Sequence, residues 1–384
     1  MTYYFDYGAT SLKKPEAVAK KVYEILSSGE YANPSRGSYK EANNAFIEIY
    51  KTRKLVADFF GISDEKRVIF TNNATEALNI AIKGVIEQGD HIITTKMEHN
   101  SVLRPIYQLA EKENIEFSIV DSDKYGVVLY DDIEKHIKSN TKLLAITQAS
   151  NLTGNIVDLK KIATICQKNN ILLLVDGSQA AGVIDTKVEK LGIDLYCFTG
   201  HKSLFAPQGV GGLCIGNPNL IVKSYNVGGS GIKTFEKNQP QIYPEMLEAG
   251  THNTPSIAGL AEGIKYILDK GIDNLYNKQL SFANKFYNSL KDVSIIEFYG
   301  NFNEPKTATV ALNFKGVLSS DAAEELFEKY NIAIRAGAHC APLMHKHFGT
   351  VEQGIVRFSF SSMTTEEEVD YAIESIKKIA SELN

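Results

Sequence analysis

The chain has 384 residues, 43% hydrophobic and 23% charged, and its 41 basic and 46 acidic side chains leave a net charge of −5 at pH 7. That length can bury a large core in one or two domains. The acidic balance, with no Lys/Arg cluster, argues against nucleic acid as the main partner, and no apolar run approaches the roughly 18 residues of a membrane span.

The opening Met-Thr-Tyr-Tyr-Phe-Asp lacks a basic segment followed by an apolar one, so no signal peptide is expected. A helix is predicted over 15–28: Pro15 opens it, Val18, Val22, Ile25 and Leu26 form one face, and Gly29 follows its end. Ala32-Asn-Pro-Ser-Arg-Gly-Ser38 reads as a loop. A second helix runs to about Phe60 and stops at Gly61. Strands and helices then alternate, with strands near 67–71, 91–95, 115–120, 142–148, 171–175, 194–199 and 210–215. This pattern predicts an α/β fold, a mostly parallel seven-stranded sheet flanked by helices. Residues 217–250, with Gly228-Gly-Ser-Gly231 and several prolines, read as a long functional loop. A long helix starts after Pro255. A smaller α+β unit follows, with strands near 294–299, 307–314, 332–335 and 355–360. Its last helix comes after Thr364, with Thr365 and Glu368 in capping-box spacing. The expected division is a large domain of residues 15–255 and a small one of 1–14 plus 256–384.

Polar residues crowd the ends of these strands, where open α/β sheets bind their ligands. Strand 194–199 ends at Thr199-Gly-His-Lys202, and strand 171–175 ends at Asp176-Gly-Ser-Gln179. A partly desolvated lysine forms a Schiff base with a carbonyl cofactor, and an aspartate keeps a pyridine nitrogen protonated. The pair is what a pyridoxal 5'-phosphate site needs. Thr71-Asn-Asn-Ala-Thr-Glu76 joins a strand to a helix, so Ala74 and Thr75 stand at a helix start that suits a phosphate. Thr75 read alone is more simply an N-cap. His99, in Met97-Glu-His-Asn100, could lie over a cofactor ring and shuttle protons, its ordinary pKa being near neutral, or be a structural residue. Asn151 and Gln179 could bind the cofactor ring oxygen or a substrate carboxylate.

Arg335-Ala-Gly-Ala-His-Cys340-Ala-Pro-Leu-Met-His-Lys-His347 invites a metal reading through its histidines, but its spacing fits no structural zinc pattern. A reactive thiol is the better reading. Cys340 lies in a loop beside His339 and five residues after Arg335, and positive charge there favours a thiolate. Cys166, Cys197 and Cys214 fall in predicted helix or strand interiors, where cysteine packs as a small hydrophobe. Unpaired cysteine spacing fits free thiols in a reducing, cytoplasmic setting. Arg357 is a candidate for bidentate binding of a substrate carboxylate.

Taken together, these residues resemble the cysteine desulfurase/selenocysteine lyase family of class V aminotransferase-type enzymes (PLP fold type I). The motifs run nearly the whole length: Tyr4-Phe-Asp-Tyr-Gly-Ala-Thr10, Asn33-Pro-Ser-Arg-Gly37, Asn73-Ala-Thr-Glu76, Glu98-His-Asn100, Asp176-Gly-Ser-Gln179, Thr199-Gly-His-Lys202, Glu248-Ala-Gly-Thr251 and Arg335-Ala-Gly-Ala-His-Cys340. The resemblance implies that Lys202 holds the cofactor aldehyde, Asp176 pairs with the pyridinium, His99 stacks on the ring and Gln179 binds its hydroxyl. Thr75, Thr199 and His201 would bind the phosphate, joined by Thr251 from the other subunit of a homodimer. Asn151 and Arg357 would hold the substrate, with Arg36 reaching across the dimer. The expected reaction takes L-cysteine to L-alanine and leaves the sulfur on Cys340 as a persulfide, bound for an acceptor protein serving iron–sulfur clusters or another thio-cofactor. The short cysteine loop resembles the branch that includes sulfur-mobilising desulfurases and bacterial selenocysteine lyases. Tyr7 and Gly8 replace the more usual Asn-Ala, and Asn100 stands where this branch often has a second His. Rival readings are action on selenocysteine or cysteine sulfinate, a transamination that needs no Cys340, and a non-catalytic sulfur-carrier scaffold.

Overall fold

The computed structural model describes residues 2–34 and 37–383. Its strands are β1 (Tyr3–Tyr4), β2 (Val68–Thr71), β3 (His91–Thr95), β4 (Glu116–Val120), β5 (Thr141–Thr147), β6 (Leu172–Asp176), β7 (Leu195–Thr199), β8 (Gly211–Ile215), β9 (Ile296–Tyr299), β10 (Thr309–Phe314), β11 (Ile332–Ala333) and β12 (Val356–Ser359). Seven of them form one sheet in the order β2-β8-β7-β6-β5-β3-β4. All are parallel except β8, which runs against both neighbours. The central strands β6, β7 and β8 are short, largely apolar runs buried along nearly all their length, as strands covered on both faces must be. The fold is therefore the mostly parallel seven-stranded sheet expected from the alternation of patterns.

Helices cover both faces. The predicted second helix is Lys40–Phe60, and its end is set by Gly61 in the left-handed region (φ 68°), which needs no Cβ clearance. The helix Ala74–Val85 packs on the sheet, chiefly over β7 and β8, through Ala77, Leu78, Ala81 and Ile82. Gly211 permits its start to lie close: a Cβ there would come within 2.9 Å of the Asn73 backbone. Residues 217–250 carry no helix or strand.

The small unit holds the antiparallel sheet β12-β10-β9. Its core joins Phe5 to Phe286, Phe314, Phe358 and Ile376. The last helix, Glu366–Leu383, carries the expected capping box, with Thr365 and Glu368 exchanging backbone bonds. The long helix after 255 is Thr254–Lys270, and its Ile257, Leu260, Ile264 and Ile267 join the core beneath the large sheet. The division at 255 is thus straddled by this helix and stands as a proposal. Not expected from the sequence were β1, whose two residues pair with β11, and the helix Pro342–Phe348, which has Pro342 at its first turn.

Candidate active site

The chain leaves β3 for β4 on one side and resumes through β5, β6 and β7 on the other, so the sheet reverses direction between β3 and β5. A cleft opens at the carboxyl ends there. It is lined by His99 after β3, Asn151 after β5, Asp176 and Gln179 at and after β6, and Thr199, His201 and Lys202 at the end of β7. Ala74 and Thr75 enter from the helix after β2, Gly8 from the N-terminal turn, and Arg335 and Arg357 from the small unit.

One wall is built for an anion. The Ala74–Val85 helix is capped by Asn73, whose side chain accepts the Glu76 N–H at 2.9 Å. This corrects the alternative that Thr75 is the cap. Thr75 stands in the first turn, with its hydroxyl 2.8 Å from Ser101 Oγ and the unpaired first-turn amides beside it. Among the described residues Thr199 Oγ1 is buried with no hydrogen-bond partner, so it too awaits an acceptor or donor. At the other end Asp176, 5% exposed, accepts the Ser178 N–H at 2.9 Å and hydroxyl at 2.5 Å on Oδ1, which leaves Oδ2 for the cleft.

Burial pushes the Lys202 amine down to about 8; Asp176 opposes the fall, and Arg357 and Arg335 add to it. An amine near that value is a competent nucleophile at neutral pH. The Ser101 backbone N–H donates to His99 Nδ1 at 3.0 Å. An amide only donates, so Nδ1 keeps its lone pair and the neutral ring carries its proton on Nε2. Burial holds His99 at about 4, and a helix start disfavours a cation there. The near-neutral pKa expected of His99 is therefore corrected: the ring is a neutral Nε2–H donor. His201 is likewise held at about 4, by burial and then by Lys202, with Nδ1 3.1 Å from Thr10 Oγ1. Behind the cleft the buried Glu98 carboxyl rises to about 8, chiefly through desolvation, while Thr95 donates to it at 2.6 Å.

Arg357 is 1% exposed and already engaged. Its Nη2 is 2.6 Å from Asp6 Oδ1 and its Nη1 donates to the Asn151 carbonyl at 2.8 Å. Gly8 makes room for it, since a Cβ at residue 8 would meet Arg357 Cζ at 3.0 Å. The Gly8 departure is thus tied to where the guanidinium lies. Tyr7 packs edge-on against Tyr4 at 5.0 Å. Asn151 spends its amide on the backbone, donating to the His339 carbonyl at 2.6 Å, and Gln179 donates to the Gly8 carbonyl at 3.0 Å. Asp6 and Ser101 were missed by sequence reasoning; Asp6 lies 351 residues from Arg357, and no local spacing announces such a contact.

Cys340 is half-buried, whereas Cys166, Cys197 and Cys214 are buried. His339 and Cys340 both adopt the left-handed region (φ 49° and 55°), unusual for two consecutive residues that are not glycine. They are held there: besides Asn151 on the His339 carbonyl, the Asn100 N–H donates to the Cys340 carbonyl at 2.9 Å. His339 donates through Nε2 to the Ile355 carbonyl at 2.7 Å, and burial drives its pKa far down, so it brings no positive charge to Cys340. His345 engages Thr350 and His347 the Asp123 carbonyl.

One expected residue, Thr251, lies elsewhere. Thr251 is exposed in a separate hollow with Phe70, Asn226 and Glu248. Its turn is anchored by Glu248, whose carboxylate takes Arg53 Nη1 and Nη2 at 2.6 and 2.9 Å and the Phe70 N–H at 2.6 Å. Despite desolvation, the Arg53 guanidinium holds Glu248 down at about 2. Arg36 lies outside the described residues.

The family model described as aminotransferase class-V matches residues 3–372. A probable cysteine desulfurase of Borreliella burgdorferi is 34% identical over 99% of this chain and 92% of its own length. One of Pyrococcus abyssi is 32% identical over 99% and 94%. Among solved structures, the apo cysteine desulfurase of Thermococcus onnurineus NA1 superposes with a TM-score of 0.91 at 31% identity, covering 99% of this chain and 95% of that one. The Escherichia coli cysteine desulfurase CsdA gives 0.89 at 28% identity, covering 100% and 95%.

Proposed function

The chain belongs to the class-V aminotransferase family, in its cysteine desulfurase branch, and from that premise we propose that it converts L-cysteine to L-alanine and hands the sulfur to Cys340. The observation that carries the reading is the placing of Lys202 and Asp176 on adjacent strand ends of one cleft, with the half-buried thiol in the loop tied to that cleft by Asn151. Measuring sulfide and alanine together from L-cysteine tests it; equimolar products support desulfuration, and no turnover sinks it.

Pyridoxal 5'-phosphate fits these residues. The unpartnered Thr199 hydroxyl, the Ala74 and Thr75 amides and His201 suit its phosphate, Asp176 Oδ2 its ring nitrogen, and the lowered Lys202 amine its aldehyde. Bound there, it supplies the electron sink that acidifies the substrate Cα–H and loosens its Cβ–S bond. Lys202 holds the aldehyde at rest and moves the proton at Cα. Arg357, its charge shared with Asp6, and the half-exposed Arg335 hold the substrate carboxylate. His99 presents a fixed Nε2–H donor. The Cys340 thiolate bonds to the substrate sulfur, and the Cβ–S electrons stay with the carbon fragment. That fragment takes up a proton and leaves as alanine. A reducing cytoplasm keeps Cys340 free for this step.

The lowered Lys202 pKa predicts a pH dependence. The neutral amine is the reactive form, so the rate at which apoprotein gains near-visible absorbance on mixing with pyridoxal phosphate should rise with pH and level off above about 8. An ordinary lysine would climb on to about 10.4. A rise without a plateau up to pH 10 would count against a desolvated Lys202.

Assembly as a homodimer is supported by apolar side chains left open on one chain: Tyr23 and Leu26 (73% and 70% exposed), Phe46, Ile47 and Tyr50, and Phe235 at full exposure. Thr251, which lines a different hollow from the cleft of its own chain, would complete the partner's. Mixing inactive Lys202→Ala chains with an inactive Arg36→Ala/Thr251→Ala variant should restore part of the activity, one site per mixed dimer being whole. No recovery in verified heterodimers would remove the shared site.

A further inference from the structure

Cys340 lines not the cleft of Lys202 but a hollow beside it, and Thr75, His99 and Ser101 form the wall common to both. The outer hollow lies between the helices Ala74–Val85 and Asn100–Glu113, and its charged side chains are Lys83 and Arg104. Among the described residues no acidic side chain lines it. Lys83 is fixed by neutral groups: Nζ is 2.6 Å from Gln108 Oε1, 3.1 Å from Tyr225 Oη and 4.6 Å above the Tyr225 ring. The carboxylate one turn on, Glu87, is bound to Lys223 instead. Arg104 is exposed, and its charge reaches His99. On a chain of net charge −5 this is a local reversal of sign around the one thiol that is not buried.

We propose that this hollow is the docking site of the sulfur-accepting protein, and that it takes a cysteine presented on an acidic loop. The proposal rests on the desulfurase reading for the identity of the cargo. The acceptor thiolate attacks the outer sulfur of the Cys340 persulfide. The S–S bond breaks, its electron pair leaves with the Cys340 thiolate, and the acceptor departs as a persulfide, with no external oxidant or reductant. Lys83 and Arg104 attract the carboxylates flanking the incoming cysteine and favour its thiolate over its thiol. The shared wall then gives the sulfur one way in and another way out.

The test uses the intact holoprotein and two synthetic peptides. Each carries one cysteine as an activated aromatic disulfide, flanked by Asp/Glu in one and by Lys/Arg in the other. The released aromatic thiol reports mixed-disulfide formation at Cys340. At low ionic strength the acidic peptide should react about tenfold faster, and added salt should erase the gap. Lys83→Glu/Arg104→Glu should reverse the preference, and Arg104→Gln should narrow it. The rate of a small neutral disulfide, and sulfide release from L-cysteine with dithiothreitol, should stay unchanged in all of these. Equal rates for the two peptides, or a double variant that slows the neutral probe as much as the acidic peptide, would overturn the proposal. Discrimination by the hollow with no sulfide from L-cysteine would retain the docking site and remove the desulfurase reading instead.

Discussion

Cys340→Ala should lower sulfide and alanine production from L-cysteine by at least about a thousandfold, as removal of an enzymic nucleophile does, while leaving cofactor binding intact. Lys202, Asp176 and the two arginines need no protein thiol to bind cofactor and substrate, so the variant should still show a spectral change when L-cysteine is added. What it lacks is a sulfur acceptor. The buried thiols offer no substitute: desolvation raises Cys166 to about 12 and pushes Cys197 and Cys214 far above the ordinary range. L-selenocysteine turnover should partly survive, because selenium leaves carbon more readily than sulfur. Turnover of L-cysteine at the wild-type rate, or a persulfide found by mass spectrometry on Cys166, Cys197 or Cys214, would refute the mechanism.

An effect of similar size is expected of Lys202→Ala, which takes away both the covalent hold on the aldehyde and the base at Cα. The purified variant should lose the near-visible absorbance and retain less than about a thousandth of the activity. Lys202→Arg separates charge from nucleophilicity: it keeps the cation facing Asp176 but cannot deprotonate, so it should be as inactive as the alanine variant. Activity in either variant would sink the assignment of Lys202.

The strand ends were legible because a buried strand is a short apolar run and the polar residues that stop it are conspicuous. Asp176, Thr199 and Lys202 could be placed at one edge before any coordinates. What the sequence left unread depends on distant partners. Nothing near Asp6 announces that Arg357 closes on it, and the vacancy at Gly8 has meaning only with that guanidinium beside it. His99 looked like a near-neutral imidazole because its ordinary pKa is near neutral. Its burial and the amide of Ser101, a tertiary and a local effect, make it a neutral donor instead. Asn73 outcompeted Thr75 as the helix cap, a contest between residues two positions apart that spacing alone could not decide.

The paired left-handed residues before Ala341 carry a consequence for timing. Asn151 pins the carbonyl of His339 and Asn100 that of Cys340, so the backbone is tethered on both sides of the thiol, and on the function proposed above the sulfur would move by rotation about the Cα–Cβ bond of Cys340. Such a turn takes picoseconds to nanoseconds, whereas a mobile loop takes nanoseconds to microseconds. A turnstile of this kind is fast but short in reach: its radius is one side chain and the sulfur it carries. On that reading the acceptor would bring its own cysteine the rest of the way, and its fit to the mouth of the hollow, together with its charge, would decide who receives the sulfur before any bond is exchanged.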